Sequence, residues 1–97
     1  MKLKVKWDEK KNQANIIKHG ISFELAVNVF RDKNRLDLYD ERHSRDEDRY
    51  ITIGMVQDLI VVVYTERYDA IRLISARIAN RKEREKYNDQ NFYFRFG

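Results

Sequence analysis

Three arginines, Arg67, Arg72 and Arg77, lie in one apolar stretch, LIVVVYTERYDAIRLISAR, from Leu59 to Arg77. A guanidinium keeps its charge at any relevant pH, and its planar fork holds two phosphate oxygens at once. Such a set suits one task above others, which is to balance a phosphate as negative charge builds on it. Pairing with Glu66, Asp69 or Glu83 at the rim of a sheet is the structural alternative. Scission of a phosphodiester by a neighbouring hydroxyl, without a metal, needs two further groups: one takes the proton of the attacking hydroxyl, and one protonates the departing oxygen. His43, Tyr64 and Glu66 are candidates. Histidine exchanges protons near neutrality, tyrosine can donate a proton or stack a base, and a carboxylate can orient an arginine. The sequence leaves acid and base unassigned among the three. His43 also stands among Asp40, Glu41, Asp46, Glu47 and Asp48, as an ordinary solvated residue would. His19 and Lys18 are further possibilities, although a histidine before Gly20 more commonly caps a helix. Asp46, Glu47 and Asp48 offer oxygen ligands in a row, yet neither HExxH spacing nor a paired acidic site accompanies them. The expectation is therefore no metal and no cofactor.

Charge distribution points the same way. The 97 residues carry 20 Lys and Arg against 16 Asp and Glu, a net charge of +4. Residues 67–97 hold eight bases and four acids, while residues 1–66 are balanced. Local positive potential of this kind attracts polyanions, and Arg81, Lys82 and Arg84 extend it as candidate nucleic-acid contacts. With no cysteine the chain has no disulfides, thiolate nucleophiles or thiolate metal sites. No apolar run approaches the ~20 residues of a membrane span, and the N-terminus lacks a signal-peptide core. A cytoplasmic protein without membrane contact is expected.

The elements that must position these groups follow from patterning. Val61 to Thr65 and Ile71 to Ile74 are β-formers around Glu66 to Ala70, which reads as a hairpin with its turn at Tyr68 and Asp69. Arg67 would then face Ala70. Counting back from there puts Val61, Val63, Ile74 and Ala76 on a core face, and Val62, Tyr64, Glu66, Leu73, Ser75 and Arg77 on a mixed, functional one. Leu3 to Trp7 alternates apolar residues with lysine, as an edge strand does. Asp8 and Gly20 bound a helix over about Glu9–Lys18 that carries Ala14 and Ile17 inward. Ser22 opens a second, over about Phe23–Arg31, with Phe23, Ala26, Val27 and Phe30 inward. Leu36–Tyr39 and Tyr50–Met55 read as strands around an exposed loop. Asn80 and Glu83 resemble a capping box for a helix to about Tyr87. The tail from Asn91 to Gly97, rich in aromatics, is expected to pack as an extra strand or to dock on a partner. The sum is one α+β domain with an antiparallel sheet of about four strands, an N-terminal αα-hairpin and a C-terminal helix.

Residues 7–30, 40–54 and 61–87 resemble the BrnT family of bacterial toxins. The most specific pieces are the KHG corner at Lys18–Gly20 followed by Phe23, YTER at Tyr64–Arg67, and ISAR at Ile74–Arg77 leading into the basic helix. The aromatic tail after Tyr87 departs from the family pattern. The resemblance implies a RelE-like fold and a ribonuclease that halts translation. It also implies a BrnA-type antitoxin, a ribbon–helix–helix dimer, in a 2:2 complex. Two rivals to an active nuclease are a non-catalytic basic binding module and a degenerate toxin kept for its antitoxin contact.

Overall fold

The computed structural model describes residues 4–96, with side chains through Gln90. Its centre is a five-stranded mixed sheet, where the expectation was an antiparallel one of about four strands. The strands are β1 (Lys4–Lys6), β2 (Leu36–Tyr39), β3 (Arg49–Met55), β4 (Leu59–Arg67) and β5 (Ala70–Ile78), in the spatial order β1-β5-β4-β3-β2. β2 to β5 are antiparallel neighbours, while β1 lies parallel to β5 with Val5 opposite Ile71. The lysine-bearing segment is an edge, as its alternation predicts.

The caps fall where the sequence places them. Asp8 accepts a hydrogen bond from the Lys10 N–H at 2.9 Å to start α1 (Glu9–His19). Gly20, at φ 72°, ends it in the left-handed region and donates its N–H to the Ile16 carbonyl. At the far end of the chain, Asn80 Oδ1 accepts from Glu83 N–H and Glu83 Oε1 accepts from Asn80 N–H, opening α3 (Arg81–Phe96). α3 runs on through residues 91–96, where an extra strand or a partner-docking segment was the expectation; the side chains of that tail lie outside the described residues.

Two elements differ in what they bury. α1 turns Asn12 and Asn15 inward and leaves Ile17 87% exposed. Its amides satisfy backbone groups that would otherwise be stranded in the core. Asn12 Oδ1 accepts from Phe23 N–H, and Asn15 bonds both the N–H and the C=O of Ala76 as well as the carbonyl of Ile21. In place of a second helix reaching Arg31 there is one turn, α2 (Phe23–Ala26), which tightens into a 3₁₀ turn over Val27–Arg31. β-branched Val27 and Val29 weaken the α-form here. The three-residue repeat aligns Phe23, Ala26 and Val29, all fully buried.

The hairpin turns where expected, with Arg67 opposite Ala70, but its faces do not alternate without interruption. Val63 pairs Ser75 while Tyr64 pairs Leu73, so Ile74 is an extra residue on β5. That bulge exchanges the two faces beyond it. Ile60, Val62, Tyr64, Ile71, Leu73 and Ala76 pack together with Phe23, Ala26 and Val29 under the N-terminal helices. The second face carries Val61, Val63, Ser75 and Arg77. α3 covers its upper half, where Tyr87 packs on Ile53, Leu59 and Val61. The lower half stays open.

Candidate active site

The open half of the sheet is bounded by the loop between β2 and β3. A hollow of about 460 Å³ there is lined by Asp40, Arg42, His43, Arg49, Ile51, Val63, Ile74, Ser75 and Arg77. Its apolar floor is the β3–β4 pair Ile51 and Val63. Arg49 enters from the start of β3, and Ser75 and Arg77 enter from β5 just past the bulge.

His43 is held by its own loop. Asp40 begins a 3₁₀ turn over Glu41–His43, and its carboxylate accepts from the His43 backbone N–H. Its oxygens also lie 3.0 and 3.1 Å from His43 Nδ1. The Asp40 side chain is only 11% exposed, against 61% for His43. A largely covered carboxylate thus fixes an exposed imidazole, turning Nε2 away from Asp40 as the ring nitrogen to meet a ligand.

Arg77 is held from the other side. Its Nη1 and Nη2 donate to Glu83 Oε1 and Oε2 at 2.8 and 2.7 Å, and Nη1 also reaches the Ile78 carbonyl. Glu83 therefore both caps α3 and grips the arginine. Hydrogen bonds from Arg77 hold the Glu83 carboxyl below the usual carboxylate range, with the Asn80 N–H helping against partial burial. A guanidinium has five N–H donors. Three are engaged here, and Nε–H with the second Nη2–H remain on one edge.

Arg72 and Arg67 belong to the same face as Arg77, because Thr65 pairs Arg72 and Arg67 pairs Ala70. They do not converge on one phosphate. From Val61, opposite Arg77, to Arg67 is six residues of strand, roughly 20 Å, so the arginines form a track. Arg67 Nε bonds Glu47 Oε2 at 2.6 Å, whereas Arg72 and Arg49 make no ion pair among the described residues. A second hollow, of about 620 Å³, joins Arg42, His43, Arg45, Asp46, Glu47 and Arg49 along this track.

Tyr64 and Glu66 are not brought to the site, contrary to the expected common face with Arg77. The bulge sends both to the helix-covered side. There Tyr64 is 6% exposed, stacks on Tyr50 and meets the edge of Phe30. Burial, with the nearby charges of Asp37 and Glu66, pushes its phenol up to about 12. Lys18 and His19 close α1, which packs on that same covered side. Arg81 pairs with Glu85 and Arg84 with Asp58 near the start of α3, and Lys82 is exposed; none of the three lines the hollow.

A family profile described as "Ribonuclease toxin, BrnT, of type II toxin-antitoxin system" matches residues 7–83. The chain belongs to the BrnT family. Among solved structures it is similar to the Brucella abortus ribonuclease toxin BrnT, whose crystal structure was determined at 1.1 Å. The identity is 28% and the TM-score 0.62, over 82% of this chain and all of the Brucella chain. No curated protein matches significantly. No helix of this BrnT chain, among the described residues, is long and apolar enough to cross a membrane.

Sequence reasoning missed Arg49, Arg42 and Asp40 in this BrnT chain. All three stand in DERHSRDEDR, a run in which every residue is polar, so composition gives no contrast. Register is the signal that finds Arg49, which opposes Thr65 on the face that carries Arg72 and Arg77; Asp40 and Arg42 lie in the loop, outside the strand pairing.

Proposed function

We propose that this BrnT chain is an endoribonuclease whose cleavage centre is the hollow between the β2–β3 loop and β5. The observation that carries the reading is that a carboxylate-held histidine, Arg49 and Arg77 line one hollow over an apolar floor. Arg77, steadied by Glu83, turns its remaining fork to the scissile phosphate and Arg49 shares the developing charge. His43, with Nδ1 toward Asp40, takes the 2′-hydroxyl proton through Nε2; the 2′-oxygen bonds to phosphorus as the P–O5′ bond breaks, leaving a 2′,3′-cyclic phosphate, and the departing 5′-oxygen takes a proton from water. That hydroxyl restricts the reaction to RNA. Arg72 and Arg67 bind neighbouring phosphates, with Arg81, Lys82 and Arg84 as outer contacts.

In the cell the consequence is arrested translation in the cytoplasm. A type II toxin works against an antitoxin. The reading assigns a BrnA-type partner, a ribbon–helix–helix dimer, in a 2:2 complex, and groups the fold with the RelE-like toxins.

The test is incubation of the folded protein with single-stranded RNA in EDTA. The reading expects cleavage that survives the chelator, falls by about 10²–10⁴ in His43→Ala, and is partly restored by added imidazole. A folded protein that binds RNA without turnover would establish the non-catalytic module instead.

A further inference from the structure

The β4–β5 turn holds a residue that neither packing nor hydrogen bonding explains. Tyr68 is fully exposed, at 106% of its reference area, and its backbone lies at φ 55°. It is the one non-glycine residue with positive φ among the described residues. A bulky side chain in the left-handed region costs free energy that glycine would not. An aromatic ring in water adds nothing to the core. The turn keeps a tyrosine where both considerations favour a smaller residue.

Its surroundings say what the ring could meet. Tyr68 lines a hollow of about 190 Å³ with Lys6, Arg67, Asp69, Ala70 and Arg72. Lys6 lies beside Arg72 in the β1–β5 pairing, so this hollow sits on the open face, at the end of the arginine track. Asp69 is turned to Lys4, at 3.2 Å. From Val63, on the floor of the cleavage hollow, to Arg67 is four residues of strand, about 13 Å.

We propose that Tyr68 is a base-stacking residue: an unpaired base of single-stranded RNA lies on its ring, a few nucleotides from the scissile phosphate, while Lys6, Arg67 and Arg72 hold the intervening backbone. Cations alternating with an exposed ring are the arrangement by which single strands are bound without sequence readout. An apolar protein partner would leave Lys6 and Arg72 without a counterpart, since among the described residues only Arg67 of the three has an ion pair, to Glu47. The proposal rests on the RNA reading above and adds its substrate contact.

The experiment uses a short single-stranded oligonucleotide, 2′-O-methylated to prevent cleavage and carrying 2-aminopurine, with wild type, Tyr68→Phe and Tyr68→Gly. Tyr68→Phe should keep the affinity and the quenching of 2-aminopurine. Tyr68→Gly should bind about tenfold more weakly, lose the quenching, and melt a few degrees higher because glycine relieves the positive φ. The rise in Tm shows that the weaker binding is not unfolding. Unchanged RNA binding by Tyr68→Gly overturns the proposal, as does equal weakening in Tyr68→Phe. So does a Tyr68→Gly defect confined to antitoxin binding. If wild type cleaves RNA in any of these cases, the nuclease reading stands; if it neither binds nor cleaves, both fall.

Discussion

Asn15 carries a prediction that joins the core to the active face. Its side chain replaces a missing strand. β1 pairs β5 only over Ala70–Arg72, so beyond that point the edge groups of Ala76 have no backbone partner on this side. Asn15 Oδ1 accepts from Ala76 N–H at 3.1 Å, and Nδ2 donates to the carbonyls of Ala76 and Ile21, both at 2.8 Å. Asn15→Ala leaves all three backbone groups buried without partners. Each such group costs about 1–3 kcal/mol. Taking the low end, because the β5 edge can admit water, gives a loss of about 3 kcal/mol. That is a large share of the ~5–15 kcal/mol that stabilises a domain, and it corresponds to a fall in Tm of about 12 °C or more. Urea and thermal melts measure the loss, and amide exchange at Ala76 localises it. Ala76 stands between Ser75 and Arg77, so faster exchange there reports loosening of the strand that aims both residues into the hollow. A loss below about 1 kcal/mol, or undiminished protection of the Ala76 amide, refutes the reasoning.

Other perturbations have equally definite outcomes. A Cβ on Gly54 would lie 2.6 Å from Val29 Cγ2 in the closed core, so Gly54→Ala should destabilise the protein by about 1–3 kcal/mol in a denaturant melt. Hydrogen bonds from Arg77 lower the Glu83 pKa in the fold, so its contribution to stability is full above the unfolded carboxyl pKa and is lost as pH falls through the folded value. Melts of wild type and Glu83→Gln below about pH 4.3 should therefore converge, and a gap that persists unchanged into acid would contradict the linkage. Glu47→Gln removes the one carboxylate bonded to Arg67 and should tighten RNA binding while steepening its salt dependence; weaker binding would mean that Glu47 orders the track rather than blocking it.

The parts of this fold legible from sequence are those fixed by local chemistry. Asp8, Gly20, Ser22, and Asn80 with Glu83 each satisfy backbone groups within a few residues, so type and spacing suffice to place them. The hairpin turn was legible for the same reason. What spacing could not show was the bulge at Ile74. β4 and β5 carry apolar side chains on both faces, because helices cover one and α3 covers half of the other, and a strand apolar on both sides gives no phase error when its register slips. That one residue moved Tyr64 from the expected site into the core and brought Val63 to the floor beneath Ser75 and Arg77. The inward asparagines of α1 were hidden differently, since their partners are backbone groups of Phe23 and Ala76, distant in sequence. Of the candidate site, Arg77 and His43 were named by type and line one hollow, while Arg49 and Asp40 needed three dimensions.

The central claim is one of place: cleavage occurs over the open half of the sheet, and positive charge matters there more than elsewhere. Comparing the single-turnover cleavage rate of Arg49→Ala with that of Arg31→Ala tests it directly. Both remove one arginine, the first from the hollow and the second from the exposed end of the 3₁₀ turn on the covered side. The prediction is a fall of about 10²–10³ for Arg49→Ala and a rate near wild type for Arg31→Ala. Equal losses, or none in either, would contradict it.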